Sequence, residues 1–366
     1  MAAMPTEREG RREVKLLLAT DAWYPQVNGV VTTIDNVLKL LSKYGAEVRV
    51  ISPTDFPRWS CPWYPEIEVA LPRRDAIRNA LDEFAPDAVH IFTEGTIGWS
   101  VRRECLTRGF PFTTSYHTRY PEYMKRWLGI PVGLSYPCFR RFHNAGSGCM
   151  VSTASMRAEL ASRGFNNIRM WTRGVDTSVF HPRPGLSWDL PKPVFVYVGR
   201  VSVEKNVTAF LSLELPGTKI VVGDGPDLPR LETLYPSAVF LGKLRGEALA
   251  EAYCKSDVFV FPSRTDTFGV VLLEAIACGL PVAAYPVTGP IDVVGDDTGR
   301  LDDDLRAAAM AAARMSKKDR IHESVRTWDH CIEQFVNNLE MVGDAPRRFR
   351  GTDRPRQSRT PVVLRT

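Results

Sequence analysis

No apolar run in this chain approaches the ~18 residues that a membrane-spanning helix needs. The opening MAAMPTEREGRREVKLLLATD likewise has no long apolar stretch before a small-residue cleavage site, so we expect no signal peptide. The seven cysteines are scattered, odd in number and without a CxxC pair, which argues against a disulfide framework or a zinc site. Together these absences predict a cytoplasmic protein with reduced thiols.

A large excess of charge of one sign is also missing. The net charge of +5 over 366 residues gives no reason to expect a nucleic-acid partner. The positive charge is concentrated in the tail at residues 343–366, which holds seven arginines against two aspartates. We expect this basic tail and residues 1–12 to be disordered, and adhesion of the tail to an anionic lipid surface is the alternative that its charge leaves open.

The length of the chain exceeds the usual size of one hydrophobic core, which predicts two domains of roughly 150–200 residues each. Short β-rich apolar runs alternate with helical patterns, are interrupted by the proline-rich stretch HPRPGLSWDLPKP, and then restart. We predict an α/β fold of two doubly wound Rossmann-like domains that face a cleft, at 13–180 and 193–316, with a linker at 181–192. Residues 317–342 are predicted to form a C-terminal helix that packs back toward the first domain.

Ligands of doubly wound sheets bind beyond the carboxyl ends of the strands, so the loops after the strands are the candidate site. Asn28 and Gly29 lie between the first predicted strand and a helix, where backbone amides could receive an anion. Tight packing of the turn explains Gly29 equally well. Gly225, in VVGDGP, is a similar strand-end glycine of a kind that is common in plain turns.

Arg200 and Lys205 follow the predicted strand that ends at Val198. Two cations there would suit a diphosphate, the arginine through its fork of donors and the lysine as a point charge. The alternative is a solvated loop in which Glu204 pairs with Lys205.

Two carboxylates flank the start of a helix predicted at 268–278, in the stretch SRTDTFGVVLLEAIACGLPVAAYP. From the helical rise, Asp266 and Glu274 would lie roughly 10 Å apart, too far to act as one acid–base pair but placed to hold two parts of an elongated ligand. Asp266 could instead cap the helix. Glu274 has apolar neighbours, so it needs either a polar partner or a cleft to face.

Two further polar residues, His117 and Glu94, follow predicted strands, and a structural role is the alternative to a catalytic one for each. The acidic run at 302–304 precedes an alanine-rich helical pattern. Acidic residues are electrostatically favoured at a helix N-terminus, so we predict no metal site there.

These motifs together resemble glycosyltransferase family 4, the retaining nucleotide-sugar transferases of GT-B fold. The resemblance spans about residues 15–339 and is specific in the second half, in VGRVSVEKN, VVGDGP, CKSDVFVFPS and FGVVLLEAIACGLPVAA. In the first half, TDAWYPQVNGVVTT, FTEGTIG, SYHT and RGVDTSVF are consistent with it. One departure is that Asp266 stands where members usually have the first glutamate of a Glu–seven residues–Glu motif, which leaves the contact at that position open.

The resemblance implies a role for each position. Arg200 and Lys205 would hold the donor pyrophosphate, and Glu274 would bind the ribose hydroxyls. Asp266 and the backbone amides of 267–269 would hold the transferred sugar, which His117 would touch near its reacting end. The predicted catalytic residues are thus His117, Arg200, Lys205 and Asp266, and the predicted donor-binding residues are Asn28, Gly29, Arg200, Lys205, Gly225, Asp266, Thr267, Phe268, Gly269 and Glu274.

The resemblance also implies a reaction: a hexosyl group (mannose, glucose or glucuronate) passes from a nucleotide-diphosphate sugar to an acceptor hydroxyl with retention of configuration. The attack comes from the same face, and the leaving phosphate accepts the acceptor's proton. No cofactor is implied, and no metal ion is needed, because the two cations and the loop amides neutralise the phosphate charge. A nucleotide-sugar epimerase on the same fold and a catalytically silent sugar-binding or scaffold protein are the alternatives.

The acceptor is predicted from residues 116–143, where aromatic side chains are interleaved with arginine and lysine. Basic residues beside aromatics on amphipathic helices suit an anionic membrane interface, but an ordinary helix pair explains the pattern equally well. We expect a lipid acceptor such as diacylglycerol or a glycolipid, reached at the inner face of the cytoplasmic membrane. A soluble glycan acceptor is the alternative.

Overall fold

The computed structural model describes residues 13–26, 28–61 and 64–343. The segments predicted to be disordered, 1–12 and 343–366, lie outside these residues apart from Gly343. In chain order, the first half forms β1 (Val14–Ala19), α1 (Gly29–Leu41), β2 (Ala46–Ile51), β3 (Arg58–Cys61), β4 (Tyr64–Ala70), α2 (Arg74–Phe84), β5 (Ala88–Ile91), α3 (Thr96–Arg108), β6 (Thr113–Ser115), α4 (Tyr120–Leu128), α5 (Val132–Asn144), β7 (Gly148–Val151), α6 (Ala154–Ser162) and β8 (Ile168–Met170). The second half forms β9 (Val194–Val198), α7 (Val207–Leu211), β10 (Thr218–Val222), α8 (Leu228–Leu234), β11 (Val239–Phe240), α9 (Gly246–Lys255), β12 (Val258–Phe261), α10 (Val270–Ala277), β13 (Val282–Ala284), α11 (Pro290–Val293), β14 (Gly299–Leu301), α12 (Leu305–Ala312) and α13 (Trp328–Asn338).

Within the described ranges, two six-stranded parallel sheets form the framework, which confirms the predicted α/β class with two Rossmann-like units. The strand order is β2-β1-β5-β6-β7-β8 in the first sheet and β11-β10-β9-β12-β13-β14 in the second. The order of the chain reverses between β1 and β5 and again between β9 and β12. Ligands of such sheets bind where the order reverses, beyond the carboxyl ends of these strands.

Strand β9 shows why the apolar runs in the sequence are uninterrupted. Val194 and Val196 pack into the core on one face of the second sheet, while Phe195 and Tyr197 pack into the core on the other. Successive side chains of a strand point to opposite faces, and a parallel sheet covered by helices buries both. Strand β9 therefore carries no charged side chain, and the candidate functional residues lie in the loop that follows it.

The last helix, α13, packs on the first sheet although it follows the second sheet in the chain. Phe335 and Ile332 lie in the same core cluster as Leu16 of β1. The indole nitrogen of Trp171 donates to the carbonyl oxygen of Cys331 at 3.0 Å. The predicted limits of the two domains and of the linker at 181–192 stay predictions.

Three local features differ from the sequence prediction. The C-terminal helix predicted at 317–342 is the shorter α13, Trp328–Asn338. The antiparallel hairpin of β3 and β4 was not anticipated, because its sequence contains two prolines and alternates poorly between apolar and polar residues. The helix predicted at 268–278 is α10, which begins later at Val270 because Gly269 precedes it in the left-handed conformation, with φ of 80°.

The acidic run at 302–304 lies at a helix start, as the charge argument predicts. Asp304 caps α12 by accepting hydrogen bonds from the amides of Arg306 at 2.9 Å and Ala307 at 3.3 Å. The described residues contain no cluster of three or more side chains that could hold a metal ion. No helix in the part of the chain covered by the structure is long and apolar enough to cross a membrane.

Glu94 has a structural partner, which favours the structural alternative for this residue. Its Oε1 lies 2.9 Å from Nε2 of His143, and both side chains are buried. The other ring nitrogen of His143 lies 2.8 Å from the hydroxyl of Thr114. This contact ties the end of β5 to α5, and the loop after β5 borders the first crossover of the sheet.

We expect Glu94→Ala to lower the free energy of unfolding by about 3–5 kcal/mol, because it leaves a buried imidazole without its carboxylate. Asp329→Ala is the matched control, since the pair of Asp329 with Lys43 is exposed on both sides and should contribute about 0–1 kcal/mol. Urea denaturation of both variants measures the difference. Equal losses would show that the buried contact does not stabilise the first unit.

Candidate active site

The loops after β9 and β12 meet where the strand order of the second sheet reverses. Lys205, in a short 3-10 turn at Val203–Lys205, forms an ion pair with Oδ1 of Asp266, which follows β12. Burial alone would lower the pKa of Lys205, but the Asp266 carboxylate raises it. The two predicted site residues are therefore in direct contact. The second oxygen of Asp266 is buried and has no hydrogen-bond partner among the described residues.

Two alternatives from the sequence are wrong at this position. Asp266 does not cap α10, because the residue at the N-cap is Gly269 and the carboxylate turns to Lys205 instead. The loop after β9 is not a solvated one, because Glu204 is buried and accepts a hydrogen bond from the Ser202 hydroxyl at 2.7 Å. Arg200 lies between β9 and Ser202 in the chain and is half-buried. Its carbonyl oxygen accepts a hydrogen bond from the Tyr197 hydroxyl at 2.7 Å.

The loop that carries Asp266 also contacts the first unit. The hydroxyl of Thr267 donates to the carbonyl oxygen of His117 at 2.7 Å, and Ser152 donates to the carbonyl oxygen of Thr267 at 3.3 Å. Tyr123 of α4 hydrogen-bonds Thr265, and burial raises the pKa of its hydroxyl to about 12. Residues 265–267 thus join the two units at the cleft.

His117 is held in one protonation state and one tautomer. Its Nδ1 lies 3.0 Å from the guanidinium nitrogen Nη2 of Arg173, which is a donor only, so Nδ1 must accept. Burial and then the charge of Arg173 lower the pKa of His117 well below its usual value, so the ring is neutral. The remaining proton is on Nε2, which is buried and has no partner among the described residues. His117 therefore presents a single hydrogen-bond donor.

Arg173 is a site residue that sequence reasoning missed. It is buried, and its guanidinium carbon lies 4.1 Å from the centroid of the Trp171 indole ring. It also donates to the carbonyl oxygens of Trp171 at 2.7 Å and Thr172 at 3.2 Å. Burial lowers its pKa to about 10, which leaves it charged at neutral pH. Arg173 is the first residue of RGVDTSVF, one of the motifs that carry the family resemblance. The spacing of residues in the sequence does not show that Arg173 contacts His117.

Glu274 finds a polar partner inside the second unit. Its Oε2 accepts a hydrogen bond from the hydroxyl of Tyr253 at 3.0 Å, and its side chain is half-buried. Burial raises the pKa of Glu274 to about 7, and the hydrogen bond from Tyr253 opposes this shift. The expected separation of Asp266 and Glu274 stays a prediction.

Gly29 and Gly225, the two glycines predicted at strand ends, have different surroundings. Asn28 caps α1, because its side-chain oxygen accepts from the amides of Val30 and Val31, both at 3.0 Å, so these two amides are already bonded. A Cβ on Gly29 would meet nothing within 4 Å, which removes tight packing as the reason for this glycine. A Cβ on Gly225 would lie 2.3 Å from the carbonyl oxygen of Val201, so that glycine is required by the turn.

The other predicted residues near α10 contribute mainly backbone. Phe268 is buried in the core of the second unit, and Gly269 occupies the left-handed N-cap position. The first amides of a helix have no partner within the helix and point beyond its N-terminus. The first amides of α10 begin at Val270, so the predicted role of the amides of 267–269 stays a prediction.

Asp21 is a second residue whose role was missed. Its carboxylate accepts from the amides of Ile97 at 2.8 Å and Gly98 at 3.2 Å, so it caps α3 from 75 residues away in the chain. Burial raises the pKa of Asp21, and the hydrogen bonds oppose that shift. A Cβ on Gly95 would lie 2.4 Å from this carboxyl group, which explains that glycine.

Comparison with known proteins bears on both units. The family model described as Glycosyl transferases group 1 matches residues 192–318, and the one described as Glycosyltransferase Family 4 matches residues 27–179. The sulfoquinovosyl transferase SQD2 of Arabidopsis thaliana is 36% identical over 289 residues, which are 73% of this chain. The chain spans about half of that relative, since the match covers 54% of its length.

Two further comparisons extend over nearly the whole chain. A GDP-mannose-dependent alpha-mannosyltransferase of Mycobacterium tuberculosis (strain CDC 1551 / Oshkosh) is 29% identical over 90% of this chain and 97% of its own length. The solved structure of sucrose-phosphate synthase from Thermosynechococcus elongatus superimposes with a TM-score of 0.70 at 20% identity. It covers 88% of this chain and 97% of that chain, and at this identity it shows the fold alone.

We expect nitrogen-15 NMR of histidine-labelled protein to show His117 as the Nε2–H tautomer, without titration between about pH 5 and 8. Because the unfolded chain takes up this proton near pH 6.5 and the folded chain does not, His117 lowers folded stability as pH falls below about 6.5. Arg173→Met should release Nδ1 and let the ring titrate closer to its usual value. Arg306→Met, at an exposed arginine, is the control; a wild-type ring that titrates near pH 6.5 would contradict the assignment.

Gly29→Ala should leave the free energy of unfolding within about 0.5 kcal/mol of wild type but weaken binding of a nucleoside diphosphate by about tenfold or more. The reason is that the added methyl meets no protein atom, while the sequence predicts an anion at the backbone amide of Gly29. Gly223→Ala is the matched comparison: its Cβ would lie 1.8 Å from the carbonyl oxygen of Gly199, so it should destabilise the fold. Calorimetric titration and urea denaturation separate the two effects, and unchanged affinity in Gly29→Ala would remove Gly29 from the site.

Proposed function

The chain belongs to glycosyltransferase family 4, and from that premise we propose that it transfers a hexosyl group from a nucleotide-diphosphate sugar to a hydroxyl of a membrane lipid, with retention of configuration. The observation that carries the proposal is the Lys205–Asp266 ion pair, placed on a loop that touches His117 across the cleft. A cation, a carboxylate with an unused buried oxygen and a neutral imidazole donor are the groups needed to hold a sugar diphosphate.

The charge distribution supports the position of the diphosphate. Arg200 and Lys205 follow β9, and Lys205 is held in place by Asp266. These cations would stabilise the negative charge that develops on the leaving phosphate, which is an electrostatic contribution to the transition state. We propose that they replace a divalent cation in this role, helped by the Gly29 amide.

The neutral groups support the position of the sugar. The free oxygen of Asp266 would accept from a sugar hydroxyl, and Nε2–H of His117 would donate to one near the reacting carbon. Since the ring of His117 has no basic nitrogen available, it would not take the acceptor's proton. The proton would pass to the phosphate oxygen as the acceptor oxygen bonds to the anomeric carbon and the carbon–phosphate oxygen bond breaks.

Glu274 would bind the ribose hydroxyls of the nucleotide. Its Oε1 is not used in the contact with Tyr253, and a carboxylate can accept two adjacent hydroxyls. Protonation of Glu274 below its raised pKa of about 7 would remove this acceptor, so donor affinity should be higher above that pH.

The surface formed by α4 and α5 supports a lipid acceptor. Leu128 and Leu134 are 54% and 73% exposed, and Lys125 and Arg141 are exposed beside them. The inner half of this helix pair is ordinary packing, with Tyr136 buried among its neighbours. An apolar edge next to basic residues suits the anionic inner surface of the cytoplasmic membrane. A soluble glycan would have no use for exposed leucines.

The donor is tested with a thermal-shift panel of UDP, GDP, ADP and their glucose, glucuronate and mannose conjugates. A ligand at a hundredfold excess over its Kd adds about 2.7 kcal/mol of stability, so the nucleotides of one base should raise the melting temperature most.

Transfer of the radiolabelled sugar into a membrane lipid extract should then proceed in EDTA. Arg200→Ala should lose about 10²–10³-fold in turnover, while Arg306→Ala should not. No shift with any nucleotide would favour a silent scaffold, and activity that requires Mg²⁺ would refute the metal-independent scheme.

The acceptor surface is tested with vesicles of anionic and neutral lipid. Binding should be stronger to anionic vesicles and weaken with salt. Leu134→Asp should lower vesicle binding by about tenfold, because it removes an apolar side chain from the interface. Leu71→Asp, at an exposed leucine outside α4 and α5, is the control. Sedimentation that does not depend on lipid charge or on Leu134 would refute this surface.

A further inference from the structure

Two cysteines of the second unit lie side by side in one cleft. Cys254 is near the end of α9, and Cys278 directly follows α10. Their residues are only 1% and 2% exposed, and each thiol influences the pKa of the other. The Cys254 thiol lies 3.3 Å from the carbonyl oxygen of His181, and the Cys278 thiol lies 4.0 Å from that of Ala250. Both line a cleft of about 220 Å³ whose other walls are residues 182–186 and 317–319. A small molecule in this cleft therefore lies beside both cysteine residues.

The cleft is electropositive around Cys254. Lys317 donates to the carbonyl oxygens of Cys254 at 2.5 Å and Ser256 at 2.9 Å, and Arg183 lies in the same wall. The interaction with Cys278 lowers the pKa of Cys254 most strongly, and burial opposes this shift. A backbone hydrogen bond from Arg183 and the charge of Arg183 lower the pKa further. The thiolate is the nucleophilic form of cysteine, so Cys254 is the more reactive of the two.

The pair is joined to the site through its neighbours in the chain. Tyr253, next to Cys254, donates to the carboxylate of Glu274, and the amide of Cys278 donates to the carbonyl oxygen of Glu274 at 3.0 Å. A covalent bond between the two sulfur atoms would fix α9 to α10 one residue from Tyr253 and one helical turn from Glu274. Any change in the separation of these helices would move the carboxylate.

We propose that Cys254 and Cys278 are an oxidisable pair that a small peroxide in this cleft converts into an intrachain disulfide. The Cys254 thiolate attacks the O–O bond, hydroxide leaves and takes up a proton to become water, and Cys254 becomes a sulfenic acid. Cys278 then loses its proton and attacks the sulfenic sulfur, so that the S–S bond forms and a second water leaves. Two thiols lose two electrons, and one hydrogen peroxide is reduced to two waters.

The proposal is tested on the full reduced chain, treated with equimolar hydrogen peroxide, alkylated with iodoacetamide and mapped by peptide mass spectrometry. We expect one linked pair of peptides, containing Cys254 and Cys278, which dithiothreitol separates. Cys105 should react at least about tenfold more slowly, because burial raises its thiol pKa to about 12. A disulfide between other cysteines, or sulfinic acid at Cys254 with Cys278 still reduced, would overturn the proposal.

Single variants test the order of the two steps. Cys278→Ala should stop at a sulfenic acid on Cys254 that dimedone traps, while Cys254→Ala should leave Cys278 as a thiol. Cys331→Ala is the matched control, since Cys331 is fully buried on α13 and should not affect the disulfide. Dimedone labelling of Cys278 in Cys254→Ala at the wild-type rate would refute Cys254 as the first nucleophile.

The effect on the donor site rests on the proposed function. We expect the oxidised chain to bind the nucleotide-sugar about tenfold more weakly than the reduced chain, measured by titration calorimetry with and without dithiothreitol. Equal affinity of the two forms would overturn the coupling to Glu274. If the reduced chain binds no nucleotide-sugar, the proposed function fails while the mapped disulfide still stands, so the two failures are distinguishable.

Discussion

The ion pair between Lys205 and Asp266 is the interaction on which the rest of the site depends. It joins the loops after β9 and β12, the two strands between which the chain order of the second sheet reverses. With Asp266 held, the next residue, Thr267, is placed to donate to the carbonyl oxygen of His117. Removing two charged groups from water costs solvation free energy. Because Oδ2 of Asp266 is buried and has no partner among the described residues, we interpret the ion pair as part of a ligand-binding site.

The two units supply different chemistry to this cleft. The second unit brings its charges, the cations after β9 and the carboxylates of Asp266 and Glu274, which suit a diphosphate and hydroxyls. The first unit brings a neutral donor, because burial and then the charge of Arg173 lower the pKa of His117, and Arg173 donates to its Nδ1. An imidazolium there would compete with Lys205 for the phosphate, whereas in the proposed site a neutral ring would leave the diphosphate to the second unit and contact only the sugar.

The sequence was sufficient for the two parallel sheets but not for the β3–β4 hairpin. Most buried parallel strands appear as short apolar runs such as VFVYV, and helices as periodic patterns between them. It also placed Lys205 and Asp266 at strand ends, since loops after parallel strands share one edge of a sheet. It could not show that these two residues contact each other, because 61 positions separate them and only the strand order brings them together. Arg173 and Asp21 were missed for the same reason: their partners at 117 and 97–98 are distant in the chain.

The most direct test of the account is a crystal structure with an unhydrolysed nucleotide-sugar. We predict the diphosphate within hydrogen-bond distance, about 3 Å, of Lys205 and Arg200, with sugar hydroxyls on the free oxygen of Asp266 and on Nε2 of His117. The ribose should lie on Glu274. A donor bound elsewhere, with the free oxygen of Asp266 and Nε2 of His117 making no contact to it, would contradict the account.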